Sequence, residues 1–182
     1  ASFFCPAPTG PRRAPVVANR RIARDHYQLT LRCPEVARTA KPGQFVHLQC
    51  ADPEAWRGGG PLLRRPFSLY DVDPRRGTCD LIYKVVGLGT ETLQHARAGE
   101  ALDLLGPLGT TFTAKSVRRA VLIGGGVGIP PMYYWAKTLL ARGIAVEVYL
   151  GVQTKDYLIC DKAFRALGVP PHVATDAGSA GF

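Results

Sequence analysis

The chain has 182 residues, a mass of 19.7 kDa and a net charge of +9, with 46% hydrophobic and 20% charged residues. That balance excludes a disordered or low-complexity scaffold. No apolar run approaches the ~20 residues of a membrane helix, and the N-terminal ASFFCPAPTGPRR lacks the basic-then-apolar order of a signal peptide.

Residues 1–14 are rich in Pro, Gly and Arg and read as a loose tail. Strands are expected at Val16–Ala23, Tyr27–Leu31, Gln44–Cys50, Phe67–Asp71, Cys79–Val86 and Ala101–Leu105. Leu81, Tyr83 and Val85 alternate with Ile82, Lys84 and Val86, the period of two of a strand. Short strands divided by turns such as Lys41-Pro42-Gly43 predict a small antiparallel β-barrel over residues 15–113. A short helix is expected over Thr90–Ala96, closed by Gly99.

The pattern changes across Thr113–Arg118, and a second unit is expected over residues 118–182. Strands at Ala120–Ile123, Ala145–Leu150 and His172–Thr175 alternate with helices, which predicts a parallel α/β sheet. Met132, Trp135, Ala136, Leu139 and Leu140 fall on one face of the first helix, which Gly143 ends. The second helix is expected over Asp156–Leu167. Nucleotide sheets of this kind have about five or more strands. Three strands before Phe182 therefore predict a fragment, or a shortened form, of a longer protein.

Three motifs carry chemistry. In RRPFS at 64–68, Arg65 offers a rigid fork suited to a diphosphate, Pro66 fixes local geometry and Ser68 adds a hydroxyl. In IYKVVGLGTETL at 82–93, Gly87 and Gly89 let a ligand approach the backbone, and Thr90 can cap the helix that follows. In GGGVGIPP at 124–131, glycines between a buried strand and a helix expose N–H groups to a phosphate, while Pro130 and Pro131 suit the first helical turn. This third motif is not G-x-G-x-x-G. Taken singly, each also fits ordinary strand–turn–helix structure.

In this order the segments VVANRRI, KPGQFVHLQC, LLRRPFSL, IYKVVGLGTETL, LLGPLGTTF, VLIGGGVGIPPMY, LGVQTKDYL and VATDAGSAGF resemble the ferredoxin–NADP reductase superfamily. Within it they resemble the electron-transfer subunits of bacterial dihydroorotate dehydrogenases. Ferredoxin–NAD(P) reductases and the gamma subunits of hydrogenases and sulfide dehydrogenases share much of the pattern, which runs from about residue 16 to 182.

The resemblance implies an antiparallel β-barrel that binds FAD, followed by a partial α/β parallel-sheet domain that binds NAD(P)H as co-substrate. It implies flavin contacts at Arg65, Pro66, Phe67 and Ser68, with Arg65 on the diphosphate and the Ser68 region facing the ring. Further contacts fall on Ile82, Tyr83 and Lys84, and on Gly89 and Thr90 at the phosphates. The nicotinamide-nucleotide loop falls on Gly124, Gly125, Gly126, Val127 and Gly128.

The implied function is cytoplasmic electron transfer in pyrimidine biosynthesis, between NAD(H) and an iron–sulfur or flavin partner. That partner is a catalytic subunit of the dihydroorotate dehydrogenase type or a ferredoxin-like acceptor; neither nucleic acid nor membrane is expected as a partner. The alternatives are a ferredoxin–NAD(P) reductase or hydrogenase gamma-type subunit, or a flavin-binding module without turnover. The family's [2Fe–2S] cysteine cluster and its Cys-Gly-Pro segment do not occur up to Phe182, so the cluster is expected only if the natural chain continues. Gln153, Thr154 and Lys155 leave NAD against NADP open, and the resemblance favours NAD.

No catalytic side chain or metal ligand is expected, because the cofactor does the chemistry. His47 reads as a structural strand residue, and His26, His95 and His172 have no acid or nucleophile at a suggestive spacing. Asp176 and Ser179 lack a nucleophile elbow. Met132, Tyr134 and Trp135 read as packing residues. The five cysteines are scattered without a C-x-x-C and read as reduced cytosolic thiols, Cys160 as an inert one. The Arg pairs are dispersed, so the basic charge reads as general surface charge rather than a nucleic-acid patch.

Overall fold

The structure is a computed structural model that describes residues 10–50 and 63–181. Strands β1 (Arg12–Ala23), β2 (His26–Arg32), β3 (Phe45–Leu48), β4 (Arg65–Asp73), β5 (Thr78–Lys84) and β6 (Ala101–Leu108) form the first unit. They close into an antiparallel barrel in the order β1-β2-β5-β4-β3-β6. The period-two alternation fills its interior: Leu29, Leu31, Leu48, Leu69, Leu81 and Leu104 are fully buried there.

Residues 12–14 of the expected tail are not loose. Arg12 to Pro15 pair with Leu104 to Ala101 of β6 and close the barrel, and Ala14 is buried. From Val16 onward β1 pairs with β2. Pro15, which lacks an N–H, sits where the strand changes partner, a position that tolerates proline and hides the strand signal. Residues 1–9 lie outside the described residues.

Two short helices flank the barrel. The first, α1 (Pro34–Thr39), buries Val36 and Ala37. Its six residues are too few for a helical period to register in the sequence. The second, α2, runs over Leu88–Leu93, not Thr90–Ala96. Its N-cap is Gly87, and Thr90 instead reaches back from the third helical position.

The second unit is a parallel sheet of β7 (Arg119–Gly125), β8 (Ala145–Val152) and β9 (His172–Thr175), in that order. Helix α3 (Ile129–Ala141) turns Trp135, Ala136 and Leu139 into a core with Leu122, Val148 and Leu150. Gly143 follows it at φ +72°, a left-handed value that glycine adopts without strain. The opposite sheet face carries exposed Val121, Ile123 and Tyr149. The helix expected over Asp156–Leu167 is divided. A 3-10 turn spans Lys155–Tyr157, and α4 begins only at Asp161 (Asp161–Ala166). Cys160 stands between them at φ 64°, which a continuous helix cannot accommodate.

The units meet along α3. Tyr133 stacks on Tyr70 at 4.6 Å, Lys137 Nζ lies 2.8 Å from Asp71 Oδ2, and Tyr134 Oη donates to the Ala40 carbonyl at 2.9 Å. Burial pushes the Tyr134 hydroxyl up to about 12, so it stays a donor.

Candidate functional site

A groove of about 540 Å³ opens between β4, β5 and α2. Its lining includes Arg65, Pro66, Phe67 and Ser68 from β4, and Ile82, Tyr83 and Lys84 from β5. Gly89 and Thr90 contribute from α2. The structure thus brings together the nine barrel residues expected at the flavin, with Gly87 and Val127, which the sequence also singled out, and adds Val86 and Leu88.

Each wall has a local cause. In β4, Phe67 and Leu69 are buried, while Arg65 at its start and Ser68 between them are half-buried and reach the groove. Ser68 pairs with Phe45 in the ladder, and its hydroxyl makes no hydrogen bond among the described residues. Phe67 meets Tyr83 edge-on at 5.8 Å, and Tyr27 stacks on Tyr83 at 5.7 Å from behind. Burial raises the Tyr83 hydroxyl above its ordinary range, so it remains protonated.

Arg65 lies over Gly89 at the start of α2. A methyl group there would stand 3.5 Å from Arg65 Cγ and Nε and 3.6 Å from Cys50 Sγ. Burial pushes the Cys50 thiol up to about 11, against the opposing pull of Arg65. Thr90 Oγ1 donates to the Gly87 carbonyl and accepts from the N–H groups of Val86 and Gly87. Its hydroxyl is therefore spent on the turn. The groove is left with the first N–H groups of α2, at Leu88, Gly89 and Thr90, which have no partner within the helix.

The charges are one-sided. Arg64 is neutralised by Asp103 at 2.5 Å, whereas Arg65 bonds only to the Leu63 and Arg64 carbonyls and meets no carboxylate among the described residues. Lys84 adds a second cation, its Nζ 4.5 Å from the Tyr157 ring centroid in the second unit. Among the described residues no acid lines the groove. A guanidinium that meets no carboxylate among them, beside the first N–H groups of α2 and next to an aromatic wall, suits a ligand with a phosphate end and a planar ring.

The loop Gly124–Gly128 divides differently. Gly124 and Gly125 end β7, and the 3-10 turn Gly126–Gly128 leads into α3. Only Val127 reaches the groove. Gly124 serves packing, since a methyl group there would press on Ile129 Cα at 3.1 Å. Gly126 adopts φ +49°, a left-handed value that glycine takes without strain.

No protein-family model matches the chain. It is 43% identical over 175 residues to the electron transfer subunit of dihydroorotate dehydrogenase B (NAD(+)) of Bacillus caldolyticus, covering 94% of this chain. The corresponding subunit of Bacillus cereus (strain G9842) is 40% identical over 169 residues, covering 91% of this chain and 63% of the relative. Among solved structures, an NADH-dependent reduced ferredoxin-NADP oxidoreductase studied for flavin-based electron bifurcation superposes at TM-score 0.80 with 33% identity. That match covers 95% of this chain and 60% of the other.

The chain belongs to the ferredoxin–NADP reductase superfamily. This superfamily member spans 66% of the length of the Bacillus caldolyticus relative. Phthalate dioxygenase reductase, at TM-score 0.73 and 20% identity, covers 93% of this chain and 53% of the other; it shares the fold.

A residue that supports the groove from behind also escaped the sequence reading. Asn19, on β1, accepts from Tyr83 Oη at 3.1 Å and donates to the Leu93 carbonyl at 2.8 Å. No local pattern could reveal it, because its partners stand 64 and 74 positions away. Among the described residues no helix is long and apolar enough to cross a membrane.

Proposed function

We propose that the barrel, over residues 15–113, holds FAD in this groove. The chain then passes electrons between NAD(H) and an iron–sulfur or flavin partner, as the electron-transfer part of a dihydroorotate dehydrogenase-type assembly in the cytoplasm. One observation carries the reading. Three segments far apart in sequence line one groove, with an arginine that meets no carboxylate among the described residues at its phosphate-suited end.

Bound FAD supplies the hydride and electron chemistry. Arg65 and the free N–H groups of α2 bind the diphosphate. Phe67, Ile82 and Tyr83 keep water from the ring's inner side. Lys84 holds positive charge beside it. Residues 118–182 offer the nicotinamide nucleotide the Gly124–Gly128 turn, and Val127 brings that turn to the groove's edge. A second reading, a flavin-binding module without turnover, draws support from the position of Gly124, Gly125, Gly126 and Gly128 outside the groove lining.

The experiment is reconstitution with FAD followed by anaerobic addition of NADH. Bound flavin that bleaches supports electron transfer. Bound flavin that stays oxidised supports the module. Failure to take up FAD overturns both.

A further inference from the structure

We infer that Asn19 is a positioning residue that clamps the ring-facing and phosphate-facing walls of the groove to each other. The inference rests on the flavin reading above. Asn19 Oδ1 accepts the Tyr83 hydroxyl at 3.1 Å, and Nδ2 donates to the carbonyls of Leu93 (2.8 Å) and Ala96 (3.3 Å). One amide therefore holds two elements. Tyr83 belongs to β5 and the groove's aromatic wall. Leu93 ends α2, whose start carries Gly89 and Thr90.

The arrangement suits an amide and no other small side chain. A carboxylate could accept from Tyr83 but could not donate to the two carbonyls, and a hydroxyl could not reach all three partners. The Leu93 carbonyl, at the end of α2, also accepts the Ala96 N–H at 3.0 Å, so Nδ2 adds a second bond there and a further one to the Ala96 carbonyl just past the helix. Tyr83 is 2% exposed and packed between Tyr27 and Phe67, so its hydroxyl has little freedom to find another acceptor. Losing Asn19 lets α2 and β5 move independently, and a ligand spanning both walls meets a groove that is no longer preset.

The test uses the purified chain, apo and reconstituted with FAD. The variants are Asn19→Ala, Asn19→Asp, Tyr83→Phe and the Asn19→Ala/Tyr83→Phe double variant. Arg20→Ala, at the exposed neighbouring position, is the control.

In the apo protein, hydrogen exchange at the Glu91 and Gln94 amides of α2 should quicken in Asn19→Ala and Asn19→Asp but not in Tyr83→Phe. FAD should bind about tenfold more weakly to Asn19→Ala, the worth of one or two hydrogen bonds. The double variant should be no more than about twofold weaker than Asn19→Ala, since Tyr83 has already lost its anchor. At saturating FAD, the visible circular dichroism of Asn19→Ala and Tyr83→Phe should depart from wild type in the same way, with Arg20→Ala unchanged.

With wild type binding FAD, unaltered exchange in Asn19→Ala, or effects that multiply in the double variant, overturns the clamp and leaves the flavin reading standing. A wild-type chain that takes up no FAD overturns the flavin reading, and Asn19's role with it, whatever the exchange rates do.

Discussion

Arg65 lies across Gly89, its Cγ and Nε 3.5 Å from where a side-chain carbon at position 89 would stand. A strand residue and a helix start, 24 positions apart, so meet at one end of the groove. The arginine's own neighbour shows what is unusual here. Arg64 points to Asp103, and that pair neutralises itself. Arg65 keeps its charge for something outside the described residues of the chain.

Thr90 supplies a test of the phosphate-facing wall. Thr90→Val removes the acceptor for the Val86 and Gly87 N–H groups at 2.9 and 3.3 Å. The expected cost is about 1 kcal/mol of unfolding free energy by urea denaturation, the usual net worth of a lost hydrogen bond. FAD affinity should fall as well, because the turn that presents the free N–H groups loosens. Unchanged stability would show that the Thr90 side chain does not hold the turn.

Gly43 concerns the barrel itself. Its φ is +92°, and a methyl group there would lie 2.9 Å from the Phe112 backbone nitrogen. Gly43→Ala should destabilise the chain by about 2 kcal/mol, from strain and from displacement of the segment after β6. The same denaturation measurement reads it.

His26 sets a pH dependence. Its Nδ1 lies 2.6 Å from the Arg24 carbonyl, and its buried Nε2 has no hydrogen-bond partner among the described residues. Burial lowers its pKa from the ordinary 6.5; the Arg24 hydrogen bond opposes that shift, Lys84 adds to it and Asp25 opposes it. The folded chain therefore holds the neutral ring, while the unfolded chain takes up a proton first as pH falls. Stability is full above 6.5 and is lost as pH falls toward the lowered folded value. Asp80, raised by burial, acts with the opposite sign. The difference between wild type and His26→Leu isolates the histidine. The melting temperature of wild type should drop more than that of the variant between about pH 7 and about pH 5. Parallel curves would remove His26 from the account.

Much of this was legible in the residues. Alternation such as Leu81-Ile82-Tyr83 exposes a strand because each neighbour faces the other way. Arg65, Ser68, Gly89 and Thr90 stood out because their chemistry is unusual at a strand start or a turn. What stayed hidden depends on distance or on backbone geometry that composition does not encode. α1 is too short to show a period. A cysteine gives no sign of the left-handed conformation that Cys160 adopts before α4. Thr90 was expected to begin its helix and instead sits three residues in, because Gly87 can serve as N-cap without a side chain. Asn19 shows its purpose only when β1, β5 and α2 are placed together.

The most direct test of the central claim is an FAD titration of apo wild type, Arg65→Ala and Arg75→Ala, side by side. Arg75 is an exposed cation on the turn after β4 and away from the groove lining. The account predicts that wild type and Arg75→Ala bind FAD alike. Arg65→Ala should bind it at least about tenfold more weakly, the loss of one charge-assisted contact. Equal FAD affinity in all three would contradict the assignment of Arg65 to the diphosphate and, with it, the flavin reading of this groove.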